Sequence, residues 1–392
     1  MSIKRNLARL SQSTPRHLDV ASIRGALPGQ RRETEHGELH LIDAYSEPRH
    51  HHGRAPIAKA LQVSTERLAQ LALDPLLAEV DLQRALFLDT ETTGLAGGAG
   101  TVPFLIGIAW FEDQSMRIQQ LFLSDLGREA PMLHWLRERV QEASCVVSFN
   151  GKTFDWPLLR NRFVLNRVRA PALPPHLDLL HCARRILRPR LKSVRLVELE
   201  RRVLGMYRED DVSGALIPQL YFDYLDGGDA SPIAKVIEHN ANDLIALAAL
   251  VAELVSHFDE VHGGDDPRDH LAYAKVAERT GDPSRARSFA DAAAQGGGES
   301  ACTVQACMLN ARIARRGGEA DDEERALLEA LRAADDEELR AAVQLALSKF
   351  YEHRRKDITR ALEHAAGTGL AEGEEAAERR VARLVRRLAS QS

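Results

Sequence analysis

The pattern of hydrophobic and polar positions divides the chain into a mixed strand–helix region and a helical region that follows it. Apolar runs typical of buried strands occupy residues 85–88 and 104–111, and a third strand is predicted at 117–124. Short connections join these three strands, which is typical of an antiparallel meander. A fourth short apolar run lies at 145–149. We therefore expect a sheet in the first half of the chain.

Helical periodicity accounts for most of the sequence between and after these strands. An amphipathic helix is predicted at 128–143, another begins near Pro157, and a long helix runs over 233–257. The remaining stretches are two helices within 160–208, separated by the extended segment 170–175, and a loop-rich stretch at 209–232.

The first 80 residues are predicted to form an irregular extension that ends in a lead-in helix. Residues 1–55 are polar and interrupted by prolines, with a short edge strand at 38–45. Helical spacing over 57–73 predicts the lead-in helix. The triplet His50–His52 suits a metal site or a surface loop. A surface loop is favoured, because consecutive side chains diverge.

A charged, glycine-containing stretch at 259–269 is the predicted boundary between two domains. The domain before it then spans 81–258, and the Ala-rich domain after it spans 270–392 and is helical throughout. A helix–turn–helix pattern resembling a tetratricopeptide unit recurs here, and the alanines that follow its turns are 40 and 35 residues apart. An ordinary helical bundle explains the same pattern. These alanines are Ala286, Ala326 and Ala361.

Composition is ordinary for a globular protein, with 44% hydrophobic and 28% charged residues among 392. No apolar run approaches membrane-spanning length, and no apolar segment follows the basic N-terminus. Neither a membrane span nor a secretory signal is expected. The four cysteines show no spacing typical of disulfides or metal sites, so we expect packing roles and a cytoplasmic location.

Charge is distributed unevenly along the chain, although the formal net charge is only −5. Residues 156–208 contain thirteen Arg or Lys and three acids, which gives +10, whereas 319–338 contains ten acids. A basic block in an acidic protein predicts a polyanionic partner. A solvated helical face that balances acids elsewhere is the alternative.

Two carboxylates end the apolar run at 85–88. Asp89 and Glu91 are two residues apart, so an extended chain directs both to one face of the strand. Paired buried carboxylates repel each other, and Mg²⁺ or Mn²⁺ would relieve that repulsion. The same two acids would also be accommodated by a solvated turn.

Further acidic and imidazole side chains follow at the ends of later elements. Asp155 enters the helix after the 145–149 strand, and His239 and Asp243 lie four residues apart on one face of the long helix. The order β-β-β-α-β-α with acids at these points resembles the ribonuclease H-like fold. We therefore expect an α/β domain with a mixed sheet flanked by helices, followed by an all-α, tetratricopeptide-like domain.

Three motifs narrow this resemblance to the DEDD 3′–5′ exonuclease superfamily. They are D-T-E-T-T-G at 89–94, N-G-K-T-F-D-W-P-L-L at 150–159 and H-N-A-N-D-L-I-A-L at 239–247. The wider sequence, with D-V-S-G at 211–214 and the helical tail, resembles bacterial YprB-like exonuclease-domain proteins. The resemblance covers roughly residues 80–255 well and the tail loosely.

The resemblance implies roles for five residues. Its metal ligands would be Asp89, Glu91, Asp155 and Asp243, holding two Mg²⁺ or Mn²⁺ ions. His239 would be the general base. The histidine subgroup of the superfamily places this residue five positions before the last Asp. Here His239 is four positions before Asp243, where the other subgroup has tyrosine.

Substrate contacts are also expected, some from the resemblance and some from charge. By similarity to the family, the loop after the strand would line the path of the terminal nucleotide. The turn before the second helix lies near Asp155, so its residues would either contact the scissile strand or have only a structural role. Basic residues would contact phosphates without reading sequence. These candidates are Thr92, Thr93, Leu95, Asn150, Lys152, Arg184, Arg185, Arg188, Arg190 and Lys192.

Three functions remain open at this point. The first is a metal-dependent exonuclease that acts on a single-stranded 3′ end of DNA or RNA. The second is an endonuclease of the same fold. The third is a nucleic-acid-binding scaffold whose helical tail recruits a protein partner. The presence of all four acids argues against a decayed, non-enzymatic site.

Overall fold

The structure is a computed structural model that describes residues 27–47, 49–94 and 100–390. These residues form two compact units. The first contains the described residues up to Arg184 together with Ser193–Asp259. The second contains Arg185–Lys192 and the described residues from Glu260 onward. The chain therefore enters the second unit once before the predicted boundary, which the assignment of 81–258 to one domain did not anticipate.

A seven-stranded mixed sheet forms the centre of the first unit, in the order β1-β2-β7-β6-β5-β8-β9. Strands β1, β2, β7, β6 and β5 pair antiparallel, whereas β5, β8 and β9 pair parallel. This is the predicted mixed sheet, and β5, β6, β7 and β8 are the four predicted strands. The strand bounds are β1 Gln30–Thr34, β2 Gly37–Ser46, β3 His51–His52, β4 Ala55–Pro56, β5 Ala85–Thr92, β6 Pro103–Glu112, β7 Ser115–Phe122, β8 Cys145–Ser148 and β9 His176–Asp178.

Helices flank this sheet in the first unit. A long helix, α7, packs against β5 and β6, and most of its central residues are buried. By length and composition α7 could cross a membrane, but 72% of its most apolar window is buried inside the protein, which is typical of a core helix. The helix bounds are α1 Thr65–Ala72, α2 Ala130–Glu142, α3 Asp155–Leu165, α4 Leu179–Leu187, α5 Leu196–Leu199, α6 Ile217–Leu225 and α7 Ser231–Asp259.

The N-terminal extension is more ordered than the sequence indicated. Strand β2 pairs with β7 along seven residues and with β1 on its other side, so it is an internal strand and not a short edge strand. Leu39, Leu41 and Ile42 of β2 are part of the main hydrophobic core. The prediction of an irregular extension is therefore wrong for this segment. Weak alternation concealed the strand, because both of its faces carry some polar residues.

The histidine triplet and the lead-in helix also differ from their predictions. His50 and His52 are buried, and His51–His52 pairs with Ala55–Pro56 as a small hairpin, so the triplet is not a surface loop. The predicted helix at 57–73 is two elements. A 3₁₀ helix, Ile57–Gln62, precedes α1, which begins after the N-cap residue Ser64, whose hydroxyl oxygen accepts a hydrogen bond from the Arg67 N–H.

Two elements between the predicted helices were missed. Residues 176–178 add the third parallel strand, β9, which is too short to show a period of its own. Helix α6 lies within the stretch 209–232 that was predicted to be loop-rich. A π-helical turn, Glu200–Leu204, follows α5 and ends at Gly205, which has a φ of 67°.

The second unit is helical, as predicted. Consecutive helices pack in pairs, and Ala286, Ala326 and Ala361 are each buried on the second helix of a pair. Its identity as a tetratricopeptide array stays a prediction. All four cysteines are buried, consistent with packing roles. The helix bounds are α8 Pro267–Arg279, α9 Pro283–Gln295, α10 Ser300–Gly317, α11 Ala320–Ala333, α12 Glu337–Phe350, α13 Ile358–Ala365, α14 Gly369–Glu372 and α15 Glu374–Ala389.

Candidate active site

Strand β5 brings two acids to the middle of the sheet, between β6 and β8. Asp89 and Glu91 are directed to the same face because they are two residues apart on the strand. Burial raises the pKa of Asp89 well above its usual range, and nearby carboxylates act in the same direction. Burial also raises the pKa of Glu91 to about 8, although the His239 imidazole opposes the shift. Both acids therefore lie where a negative charge is costly.

A buried amide holds Asp89 in place. The Asn240 side chain is fully buried and donates from Nδ2 to Asp89 Oδ2 over 2.7 Å. Its Oδ1 accepts a hydrogen bond from Gln120 Nε2 over 2.8 Å, and Gln120 also donates to the Ile237 carbonyl. Gly107 leaves room for this amide, because a Cβ there would lie 2.1 Å from Asn240 Oδ1. Sequence reasoning missed this support, since its parts come from three separate elements.

Asp155 is delivered by the turn between β8 and α3. It is the first residue of α3, it is buried, and Thr90 Oγ1 donates to its Oδ1 over 2.5 Å. Burial raises its pKa to about 6, although the Thr90 hydrogen bond opposes the shift. Gly151 allows the turn to close, because a Cβ there would lie 2.3 Å from Ser148 Oγ.

A second acid, Asp178, shapes this turn from the end of β9. Its carboxylate accepts hydrogen bonds from the backbone N–H groups of Asn150 over 2.8 Å and Lys152 over 3.1 Å. Asn150 has a φ of 69°, a left-handed conformation that Asn adopts more easily than most residues. Asp178 was counted in the sequence only as a charge. Its role follows from the β8–β9 pairing, which places it beside the turn.

Helix α7 brings His239 and Asp243 to the same place. His239 Nε2 lies 3.9 Å from Glu91 Oε1 and 3.7 Å from Asp243 Oδ2. Burial disfavours the imidazolium, but the Asp211 hydrogen bond and the neighbouring carboxylates outweigh it and raise the pKa of His239 to about 9. The structure thus brings together all five residues that the resemblance implied.

An arginine that the sequence did not single out is the cation of this cluster. The Arg208 side chain is 5% exposed, and its Nη2 donates to Asp243 Oδ1 over 2.5 Å and to Glu200 Oε1 over 2.8 Å. Glu200 Oε1 also lies 2.6 Å from His52 Nε2. Although burial acts in the opposite direction, these carboxylates raise the pKa of Arg208 above its usual value. Arg208 was assigned only to the basic block, so its role here is a correction.

The charge balance of the cluster suits a divalent cation. Four carboxylates, those of Glu91, Glu200, Asp211 and Asp243, lie at ion-pair distance from Arg208 or His239. Burial raises the pKa values of Asp89 and Glu91, and neighbouring carboxylates act in the same direction. Carboxylate oxygens are the donors that Mg²⁺ and Mn²⁺ prefer. Within residues 27–47, 49–94 and 100–390, no three His, Cys, Asp or Glu side chains are gathered closely enough to hold a metal as they stand. The donor chemistry fits the metals, while Arg208 occupies one oxygen of Asp243.

The candidate substrate residues near the cluster are engaged in local structure. Thr92 Oγ1 donates to the Gly94 carbonyl over 2.8 Å, and Thr93 Oγ1 accepts from the Val102 N–H over 3.0 Å. Asn150 Oδ1 accepts from Thr153 Oγ1, and the Lys152 ammonium lies 3.8 Å from Asp74. These contacts shape the two loops that border the cluster. Leu95 lies outside the described residues.

The basic block of the sequence is not one surface in the structure. Arg162 pairs with buried Glu129, and Arg190 pairs with Asp269. Arg208 lies in the carboxylate cluster. Of the candidate phosphate contacts, Arg184 belongs to the first unit, whereas Arg185, Arg188 and Lys192 belong to the second. Arg188 donates to the Lys192 carbonyl.

Comparison with known proteins supports the fold. A family model described as RNase_H superfamily matches residues 86–255, a range that includes all four candidate metal ligands. The chain is also similar to the uncharacterized protein YprB of Bacillus subtilis (strain 168). The two are 31% identical over 291 residues, which is 71% of this chain and 67% of the relative.

Proposed function

The chain belongs to the RNase H superfamily, in one family with YprB, and we propose that it is a metal-dependent nuclease acting on phosphodiester bonds. The observation that carries the proposal is the convergence of Asp89, Glu91, Asp155 and Asp243 with His239 at one buried place. Fold membership supports a nuclease-like domain and a nucleic-acid substrate. The reaction, its direction and its metals are the proposed part.

The chain's own residues would divide the work of hydrolysis. Asp89, Glu91, Asp155 and Asp243 would hold two Mg²⁺ or Mn²⁺ ions, which in such sites activate water and stabilise the leaving oxygen. His239 Nε2 would take the proton from the attacking water. The water oxygen then forms a new bond to phosphorus, and the P–O3′ bond breaks. Asn240 would keep Asp89 aimed at the site.

Attack from a 3′ end is the form of this activity that the motifs favour. D-T-E-T-T-G, N-G-K-T-F-D and H-N-A-N-D occur in the order typical of DEDD exonucleases, and each delivers its acid to the cluster. An endonuclease of the same fold would use the same acids but would need no free end. A non-enzymatic scaffold would not need them at all.

The test compares linear and circular substrates. Purified full-length protein is incubated with Mg²⁺ or Mn²⁺ and single-stranded DNA or RNA, either 5′-labelled and linear or internally labelled and circular. We expect a ladder from linear strands and intact circles. Cleaved circles would select the endonuclease, and two intact substrates would contradict nuclease activity.

Variants connect the cleavage to the cluster. Asp89→Ala and Asp243→Ala should each abolish cleavage, with circular dichroism unchanged, because each removes a carboxylate from the proposed metal site. Glu138→Ala, an exposed acid on α2, is the matched control and should cleave like the wild type. Unchanged turnover in Asp89→Ala would rule out the assignment of the site.

A further inference from the structure

The loop that connects the π-helical turn Glu200–Leu204 to α6 carries an acid that is not one of the proposed metal ligands. This acid is Asp211, the first residue of D-V-S-G, and its side chain is 20% exposed. Its Oδ1 lies 2.7 Å from His239 Nδ1, which is a hydrogen-bond distance. The two residues are 28 positions apart and come from different elements.

The hydrogen bond to Asp211 selects one tautomer of the neutral His239 imidazole. An ionised carboxylate has acceptors only, so His239 Nδ1 must donate its proton to Asp211. Arg208 Nη1 lies 3.4 Å from the same nitrogen, but it cannot donate to a nitrogen that carries a proton. The other ring nitrogen, Nε2, therefore holds the lone pair in the neutral ring. Nε2 is the nitrogen near Glu91 and Asp243.

Asp211 is itself held from two sides. Its Oδ1 accepts the Val212 N–H over 2.9 Å, and its Oδ2 lies 3.4 Å from Arg208 Nη1. Arg208 is fixed in turn by Glu200 and Asp243. An imidazole that is held by an anchored carboxylate loses rotational freedom, so its lone pair keeps one direction.

We propose that Asp211 is the positioning residue of His239, holding the ring so that Nε2 faces the carboxylate cluster. The inference rests on the proposed nuclease function and adds to it a residue outside the three sequence motifs. In the proposed step, Nε2 takes the proton of the attacking water while Nδ1 keeps its own proton on Asp211. The imidazolium formed is stabilised by the Asp211 charge. After the P–O3′ bond breaks, the leaving O3′ takes a proton from solvent and the imidazolium releases its own proton to solvent.

Steady-state kinetics give the first test. Asp211→Asn should lower kcat about 10- to 100-fold, the usual effect of losing an outer partner of a functional histidine, with KM changed less than about twofold. Asp211→Glu should recover part of the loss because it restores the acceptor. The matched control is the neighbour Asp210, which is exposed and has a φ of 55° that Asn tolerates. Asp210→Asn should behave like the wild type.

A double-variant comparison shows whether Asp211 acts through His239. If it does, adding Asp211→Asn to His239→Ala should cost little further activity, because the single effects are not additive. Full additivity would overturn the proposal. Equal kcat in Asp211→Asn and Asp210→Asn would overturn it as well.

The second readout does not depend on activity. In protein without added metal, the hydrogen-bonded Nδ1 proton of His239 should give a downfield NMR resonance that His239→Ala removes. It should persist in Asp210→Asn, disappear in Asp211→Asn, and return in Asp211→Glu. Its absence from the wild type would overturn the proposal, even if Asp211→Asn fails to fold. The resonance could behave as expected while Asp89→Ala remains fully active. That result would support the Asp211–His239 hydrogen bond and contradict the proposed nuclease site.

Discussion

A buried amide holds Asp89 in position, and that amide depends on the absence of a side chain at Gly107. The Asn240 side chain cannot easily move, because it is fully buried and its Oδ1 accepts a hydrogen bond from Gln120. The position of the Asp89 carboxylate therefore depends directly on the position of the Asn240 amide. Changes that leave every charged residue intact can still disturb the site.

Gly107→Ala should therefore impair the site without touching a charge. The new methyl group would lie 2.1 Å from Asn240 Oδ1 and must displace the amide that holds Asp89. We expect at least a tenfold loss of kcat and a destabilisation of about 1–3 kcal/mol, typical of overpacking. Urea unfolding and cleavage assays measure the two effects. Gly263→Ala, where a Cβ meets no atom within 4 Å, is the control and should change neither.

The raised pKa values predict how stability without metal depends on pH. Glu91 ordinarily has a pKa of 4.5 and here about 8, so between these values the folded state keeps a proton that the unfolded state has lost. Stability is therefore lost as pH rises through this window. The pKa of Asp155 is raised from 3.8 to about 6, and that of His239 from 6.5 to about 9. Each of these groups therefore also lowers the stability of the folded state as pH rises between its two pKa values.

We expect the melting temperature in chelator to fall from pH 6 to pH 9. Added Mg²⁺ should raise it most at the high end, where the ligands are ionised. Thermal unfolding at four pH values with and without Mg²⁺ measures this. Glu91→Gln should flatten the fall, since it removes the contribution of Glu91 between pH 4.5 and about 8. A wild-type melting temperature that rises with pH would contradict the prediction.

At the scale of elements, β2 contributes more to the first unit than its sequence suggested. It inserts between β1 and β7, and Leu39, Leu41 and Ile42 are nearly inaccessible to solvent. Burial of each such side chain stabilises by about 1.5–3 kcal/mol, so together they rival the net stability of a typical domain. Strand β1, in contrast, is mostly exposed.

Deletions that differ by one strand should therefore behave differently. A chain that starts at residue 35 loses β1 and should remain folded and active. A chain that starts at residue 47 loses β2 as well and should be insoluble or unfolded. Strand β7 would lose one of its two partner strands and become an exposed edge, and the core would lose the apolar side chains of β2. Circular dichroism and size-exclusion chromatography distinguish these outcomes. A folded chain starting at residue 47 would show that β2 is dispensable.

At the scale of the whole molecule, the basic block is divided between the two units. The segment Arg185–Lys192 belongs to the second unit, although it is flanked on both sides by the first. Several cations of the block are used in ion pairs, so its net charge of +10 overstates the surface available to a polyanion. Arg185 and Arg188 remain candidates for phosphate contact.

Salt dependence tests these two arginines. In an Asp89→Ala background, which should bind without cleaving, the affinity for single-stranded DNA should fall with salt by about 0.7 log units per phosphate neutralised. Replacing both Arg185 and Arg188 by Ala should flatten that slope by roughly 1.4, whatever the base sequence. Fluorescence anisotropy at several salt concentrations measures this slope.

The control uses two other arginines of the same block. Arg201 and Arg202 are exposed and lie within 4.0 Å of Glu198. Their double replacement by Ala should leave the slope within error of the wild type. An unchanged slope in the Arg185/Arg188 variant would remove that segment from the substrate path, without bearing on the carboxylate cluster.

The sequence by itself determined the strands and helices that have a clear hydrophobic periodicity. It also determined which residues lie on the same face of such a strand or helix. The apolar runs predicted β5, β6, β7 and β8, and spacing on a strand or helix placed Asp89 with Glu91 and His239 with Asp243. These features depend on neighbours a few positions apart. Local geometry is enough to derive them.

The tertiary structure decided which of these groups meet and what supports them. The Asn240–Asp89, Arg208–Asp243 and Asp211–His239 contacts span 151, 35 and 28 positions. They depend on how separate elements pack, and no period along the chain encodes that packing. The same reason explains why β9, three residues long, and the division of the basic block became visible only in the folded chain.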